Sequence, residues 1–106
     1  MDLAAMSEQA RALRARYASF EERHHGTSWT SEEIMLGFVG DVGDLAKLVQ
    51  GKAGVRPTPD MDAKLAHELA DCLWCILTLA DCYDVDLEQA FSSTMEQLHG
   101  ALDRAE

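Results

Sequence analysis

Gly40-Asp41-Val42-Gly43-Asp44-Leu45 sets two carboxylates three residues apart inside a segment that otherwise reads as an apolar helix. Three residues is close to one helical turn, so both acids leave the same face. A second stretch, His67-Glu68-Leu69-Ala70-Asp71, repeats the arrangement with Glu68 and Asp71. Four carboxylates directed from two helices to one point among apolar side chains would repel one another strongly. A divalent cation between them is the usual way such a cluster is held. The two stretches together predict helix-on-helix packing with a metal at the contact.

Working outward from Asp41, the flanking residues extend this helix in both directions. Thr30-Ser31-Glu32-Glu33 reads as a capping box, with Thr30 at the N-cap and Glu33 reaching back. The helix is therefore expected from about Ser31 to Gln50, with Gly51 as its stop. Its apolar stripe is Ile34, Phe38, Leu45 and Leu48; Asp41 falls in the middle of that stripe and Asp44 at its margin. Gly40 and Gly43 each cost roughly 0.5 to 1 kcal/mol relative to alanine in a helix interior, which points to close approach of another backbone or a ligand.

The second acidic stretch sits in a helix expected from about Met61 to Tyr83, with Asp60 or Thr58 as its cap. From Leu73 to Ala80 it is apolar almost all round, which marks it as the most buried element. Before these two, Asp2 to about Arg23 carries Leu3, Met6, Ala10, Leu13, Tyr17 and Phe20 at helical spacing. After them, Asp86 and Gln89 form a capping arrangement for a last helix from about Leu87 to Arg104. Gly51 to Pro59 is the one long connection, and its Lys52 and Arg56 are candidates to close over a substrate. No stretch shows the period-two alternation of a strand. The fold class is all-α: a four-helix array forming a single domain over residues 1–106.

The formal net charge of −10 disfavours nucleic-acid polymers and anionic membranes as partners. It would also repel a phosphate-bearing substrate, unless a metal held by the carboxylates reversed the local field. No run is long and apolar enough to span a bilayer, and Met1 to Arg16 does not read as a signal peptide, so the expected location is cytoplasmic. Cys72, Cys75 and Cys82 all lie in one helix, which favours reduced thiols over a disulfide framework. The C-x-x-C spacing of Cys72 and Cys75, without a second pair, reads as small core residues rather than zinc ligands.

Gly40-Asp41-Val42-Gly43-Asp44-Leu45-Ala46-Lys47-Leu48-Val49-Gln50 resembles the signature helix of the MazG-like all-α nucleoside triphosphate pyrophosphohydrolases, in particular the branch related to dCTP pyrophosphatase. Glu68-Leu69-Ala70-Asp71-Cys72-Leu73-Trp74 is similar to that family's second acidic motif, and Val85-Asp86-Leu87-Glu88-Gln89-Ala90-Phe91 continues the likeness. The resemblance implies Mg2+-dependent cleavage between the α and β phosphates of a nucleoside triphosphate, giving the monophosphate and pyrophosphate, in nucleotide-pool housekeeping. Mn2+ is the second candidate cation. Asp41 and Asp44 fall on the family's first pair of metal-binding glutamates, and Glu68 and Asp71 on the second pair; one of the four would take the proton from the attacking water.

In the same setting Trp29 is a candidate to stack on a base, the alternative being packing at the first interhelical corner. Lys47, one turn beyond Asp44, and Lys64, one turn before Glu68, are candidates to reach phosphate, the alternative being exposed ion pairs. His67 is a candidate outer partner of the acids. Asp41 and Asp44 are each a methylene shorter than the family's glutamates, so the metal must sit closer to their helix or water must complete its shell. Gly51 and Cys75 stand where relatives often carry aromatic residues, and Thr94 where many carry lysine, so the likeness implies no base preference. The apolar surface of four short helices exceeds what one small domain can cover, and the family's members are dimers or tetramers, so a homodimer or homotetramer is expected. The competing expectation is a non-catalytic helical oligomer using its acids to sense metal or nucleotide, or to bind a partner.

Overall fold

Side-chain caps set the ends of most of the helices. In the computed structural model, which describes residues 1–106, α1 spans Leu3–His25, α2 Ser31–Lys52, α3 Met61–Cys82 and α4 Leu87–Ala105, with no strand. The backbone N–H of Ala5 donates to Asp2 Oδ1 at 2.9 Å and opens α1. The helix runs two residues beyond the expected Arg23, because Gly26 supplies the left-handed conformation (φ 83°) that closes it and donates its N–H to Glu22 O. Arg23, His24 and His25 occupy the last turn, where positive charge complements the helix dipole.

The capping box of α2 is present as expected: Glu33 N–H donates to Thr30 Oγ1 at 3.2 Å and Thr30 N–H donates to Glu33 Oε1 at 3.0 Å. Asp86 likewise opens α4, accepting from Gln89 N–H at 3.1 Å. Two expectations at the α2–α3 connection are corrected. Gly51 does not stop α2, which continues to Lys52; the left-handed glycine is Gly54 (φ 94°). Gly51 is buried, and a Cβ there would collide with Met61 Cε, so its missing side chain makes room for the first turn of α3. Neither Asp60 nor Thr58 caps α3 with a side-chain bond to its backbone; Asp60 is itself left-handed (φ 58°), and Thr58 instead contacts Met61 Sδ.

The principal packing is α2 against α3, with α1 laid along α3. The α2 stripe is as expected: Ile34 is buried, Phe38, Asp41, Leu45 and Leu48 are half-buried, and Asp44 at the margin is exposed. Cys72, Cys75, Leu77 and Thr78 on α3 make up most of the buried residues, which marks α3 as the central helix. From the other side Trp74 Nε1–H donates to Ala10 O at 3.3 Å, and its ring meets Tyr17 edge-on at 5.9 Å, fixing α1.

The fourth helix differs from the other three. No residue of α4 is buried, and it packs extensively against none of them. The radius of gyration is 17.0 Å, against about 13 Å for a compact chain of this length. Phe91, Leu98 and Leu102 lie in solvent along α4, as do Leu69, Leu73 and Ile76 on α3. No helix is long and apolar enough to cross a membrane.

Candidate metal centre

The α2–α3 seam brings three of the expected acids together. Asp41 and Asp44, one turn apart on α2, and Glu68 on α3 each offer a carboxylate oxygen, and these oxygens all lie within 4.8 Å of one another. The wheel position of Asp41 dictates this: packing the apolar stripe of α2 onto α3 carries Asp41 into the seam with it. Glu68 enters from the facing stripe, between Leu65 and Cys72.

Electrostatically the cluster is unbalanced. Burial pushes the Glu68 carboxyl above its usual range, and the charges of Asp41, Asp71 and Asp44 and a hydrogen bond with Asp41 push it the same way. Glu68 Oε1 is buried without a hydrogen-bond partner. No lysine or arginine pairs with Asp41, Asp44 or Glu68. Hard oxygen donors, a buried oxygen left unpartnered and a raised carboxyl pKa together fit a divalent cation such as Mg2+.

Asp71 lies outside this triad. It is half-buried one turn beyond Glu68, with its Oδ2 3.2 Å from His67 Nε2. His67 thus lies beside an acid next to the cluster. Asp71 and Asp41 share a cleft of about 490 Å3 with His67, Leu13, Tyr17 and Trp74.

A second cleft of about 500 Å3 is walled by Asp44 and Glu68 together with Lys47, Lys64, Thr58 and His67. Both lysines expected near phosphate line it. Lys64 Nζ–H donates to Thr58 Oγ1 at 3.4 Å, and neither lysine forms the ion pair that was the alternative. One cleft thus has an acidic wall next to a basic wall, the arrangement that a metal-bound polyphosphate needs.

Trp29 is elsewhere. Its backbone N–H donates to Glu21 Oε1 at 3.0 Å and its ring lies over Gly37, where an added Cβ would meet it at 3.2 Å. It lines a cavity of about 420 Å3 with Arg11, Arg14, Tyr17 and Trp74, and neither cleft that holds the acids. The corner-packing alternative describes this placement. Lys52 is also engaged, in an ion pair with Asp62, whereas Arg56 in the same connection pairs with nothing.

Sequence reasoning missed three neighbours of the acids. Tyr17 and Trp74 wall the cleft of Asp41 and Asp71 with aromatic surface. The spacing of Trp74, three residues after Asp71, could have revealed it; Tyr17 comes from α1 and carries no local signal. Cys75 is buried, as expected of a core thiol, yet its Sγ–H donates to Asp41 Oδ2 at 3.5 Å. Burial first, and Asp41 second, push this thiol up to about 12. The Cys72 thiol is raised by burial and then by Glu68, Asp41 and Asp71.

Residues 29–101 match the model of the MazG nucleotide pyrophosphohydrolase domain. The chain is 36% identical over 94 residues to dCTP pyrophosphatase 1 of Mus musculus, covering 84% of this chain and 54% of that protein. It is 35% identical over 94 residues, with the same coverage, to dCTP pyrophosphatase 1 of Homo sapiens. The chain therefore spans about half the length of the curated relatives it matches.

Proposed function

This chain belongs to the MazG nucleotide pyrophosphohydrolase family, and from that membership we propose that residues 1–106 act as one domain hydrolysing a nucleoside triphosphate to the monophosphate and pyrophosphate with Mg2+. The observation that supports the reading best is the convergence of Asp41, Asp44 and Glu68 beside a cleft that Lys47 and Lys64 also line, each one turn from an acid of the same helix. Asp41, Asp44 and Glu68 would hold the cation, with Asp71 extending the set from the cleft it shares with Asp41. Mg2+ bound there supplies neutralisation of phosphate charge and a lowered pKa for a bound water.

The chain's own groups do the rest. Lys47 and Lys64 face the cleft and bind the outer phosphates, which keeps the leaving group on the basic wall. Hydrolysis breaks the P–O bond of the α–β anhydride, joins the water oxygen to phosphorus and releases pyrophosphate. The water's proton passes to a carboxylate of the site. Tyr17 and Trp74 line the cleft that holds Asp41 and Asp71, where the rest of the nucleotide would extend. The relatives named above supply the nearest substrate class, a deoxynucleoside triphosphate; Gly51, packed under Met61, offers no aromatic contact to select a base.

The exposed apolar residues of α4 and α3 support assembly of the chain as a homodimer or homotetramer. Pyrophosphate release from a panel of ribo- and deoxynucleoside triphosphates, with and without Mg2+, tests the activity. Turnover of at least one of them that needs Mg2+ and is lost in Glu68→Gln is the expected result. Failure to turn over any triphosphate would instead support the non-catalytic oligomer.

A further inference from the structure

We propose that Cys75 is a positioning residue for the Asp41 carboxylate. The inference rests on the reading of Asp41, Asp44 and Glu68 as a metal site. Cys75 follows Asp71 by four residues and Glu68 by seven, so it continues the same stripe of α3 toward α2. The residue is 4% exposed, and its Sγ lies 3.5 Å from Asp41 Oδ2.

Asp41 has few other anchors. It sits in the middle of α2, where the backbone N–H groups are used by the helix, and no basic side chain pairs with it. Cys75 is the one group outside the acids that donates to it. The terminal torsion of an aspartate is broad, so a carboxylate without a fixed partner samples many orientations. A donor on one oxygen narrows that range and settles how the carboxylate meets Asp44 and Glu68. Outer partners of metal-binding carboxylates act in this way, and their loss typically weakens metal affinity roughly 10- to 100-fold. A thiol is a weak donor, so the effect here falls at or below the lower end of that range.

Cys72, one turn back, provides the control. It is equally a buried thiol of α3, and it makes no hydrogen bond to the acids. The experiment is Mn2+ binding to the full chain, followed by the paramagnetic resonance signal of free Mn2+, for wild type, Asp41→Asn, Cys75→Val, Cys75→Ala, Cys75→Ser and Cys72→Ala. Circular-dichroism melts accompany each. Valine keeps the volume and removes the donor, alanine removes both, and serine keeps a donor.

Cys75→Val and Cys75→Ala should weaken Mn2+ binding about 3- to 10-fold, while Cys75→Ser and Cys72→Ala stay within roughly 2-fold of wild type. The Mg2+ concentration for half-maximal turnover should move in parallel. Turnover at saturating Mg2+ should change less. If wild type binds no Mn2+, or Asp41→Asn binds as well as wild type, the metal reading falls and this inference with it. If Asp41→Asn loses binding but Cys75→Val matches wild type, the inference alone is overturned. Serine behaving as valine does would also overturn it, since the thiol would then act by shape rather than as a donor.

Discussion

The α2–α3 seam and the exposed length of α4 are each left unfinished by a single chain, in opposite senses. In the seam, Asp41 and Glu68 occupy positions that apolar side chains would fill at less cost, and the penalty appears as a raised Glu68 carboxyl and an unpartnered buried oxygen. Along α4, Phe91, Leu98 and Leu102 are 62%, 55% and 60% exposed, and no other helix packs extensively against α4. What completes each region differs accordingly. Clustered, half-buried acids are relieved by a small hard cation, whereas solvated apolar side chains are relieved by protein surface. A ligand should therefore change the first region, and protein concentration the second.

The largest expected effect separates function from stability within the seam. Glu68→Gln keeps the shape and removes one charge, so triphosphate turnover should fall by about 100-fold or more. Metal-free, the same variant should melt higher than wild type by on the order of 1 kcal/mol, or about 4 to 8 °C, because a mutually repelling carboxylate has been removed. A steady-state assay and a calorimetric scan in chelator check the two parts. If the variant melted lower without metal, the seam would not be under the electrostatic strain described.

The next effect belongs to the apolar end of the same seam. Ile34 is 4% exposed, so Ile34→Ala should destabilise the fold by about 2 to 4 kcal/mol in a denaturant titration, with or without Mg2+. That loss marks where the seam is held by packing rather than by a ligand.

These two predictions also show which parts of the structure were readable in the sequence. Thr30–Glu33, Asp86–Gln89 and the α2 stripe are local patterns, settled within a few residues, and they placed the helices and carried Asp41 into the contact. Gly51 was misread because its smallness serves Met61, ten residues on, rather than a turn. The thiol of Cys75 on Asp41 and the aromatic wall from Tyr17 join helices far apart in sequence, and periodicity says nothing about which side chains meet across such a gap. Asp71 shares the stripe of Glu68, yet its carboxylate lies outside the triad and 3.2 Å from His67 at i−4. The separation of α4 from the core was likewise hidden, since an amphipathic helix reads the same whether its own chain or another covers it.

A smaller effect follows from the sign of the Glu68 shift. Its carboxyl titrates higher in the folded state than unfolded, so without metal the folded state binds more protons across the range above 4.5, and stability falls as pH rises through it. Cation binding must displace that proton, so affinity for Mg2+ should rise with pH over the same range. Melting temperature against pH, in chelator and in excess Mg2+, should show the decline in the first series and its reduction in the second. Glu68→Gln should flatten the first.

The smallest effect tests the other half of the comparison. Leu98 is 55% exposed in the single chain, so Leu98→Ala removes little buried surface from it and should cost less than about 0.5 kcal/mol at high dilution. If a second copy covers α4, the cost must grow as association is favoured, because the deleted methyl groups then leave a protein interface instead of water. Wild type and Leu98→Ala should accordingly melt together at nanomolar protein and diverge toward the micromolar range, with sedimentation velocity reporting a larger species for wild type alone or at lower concentration. Curves that stay superimposed at every concentration, with a monomeric mass throughout, would mean that α4 stands free in solution and that no second copy covers it.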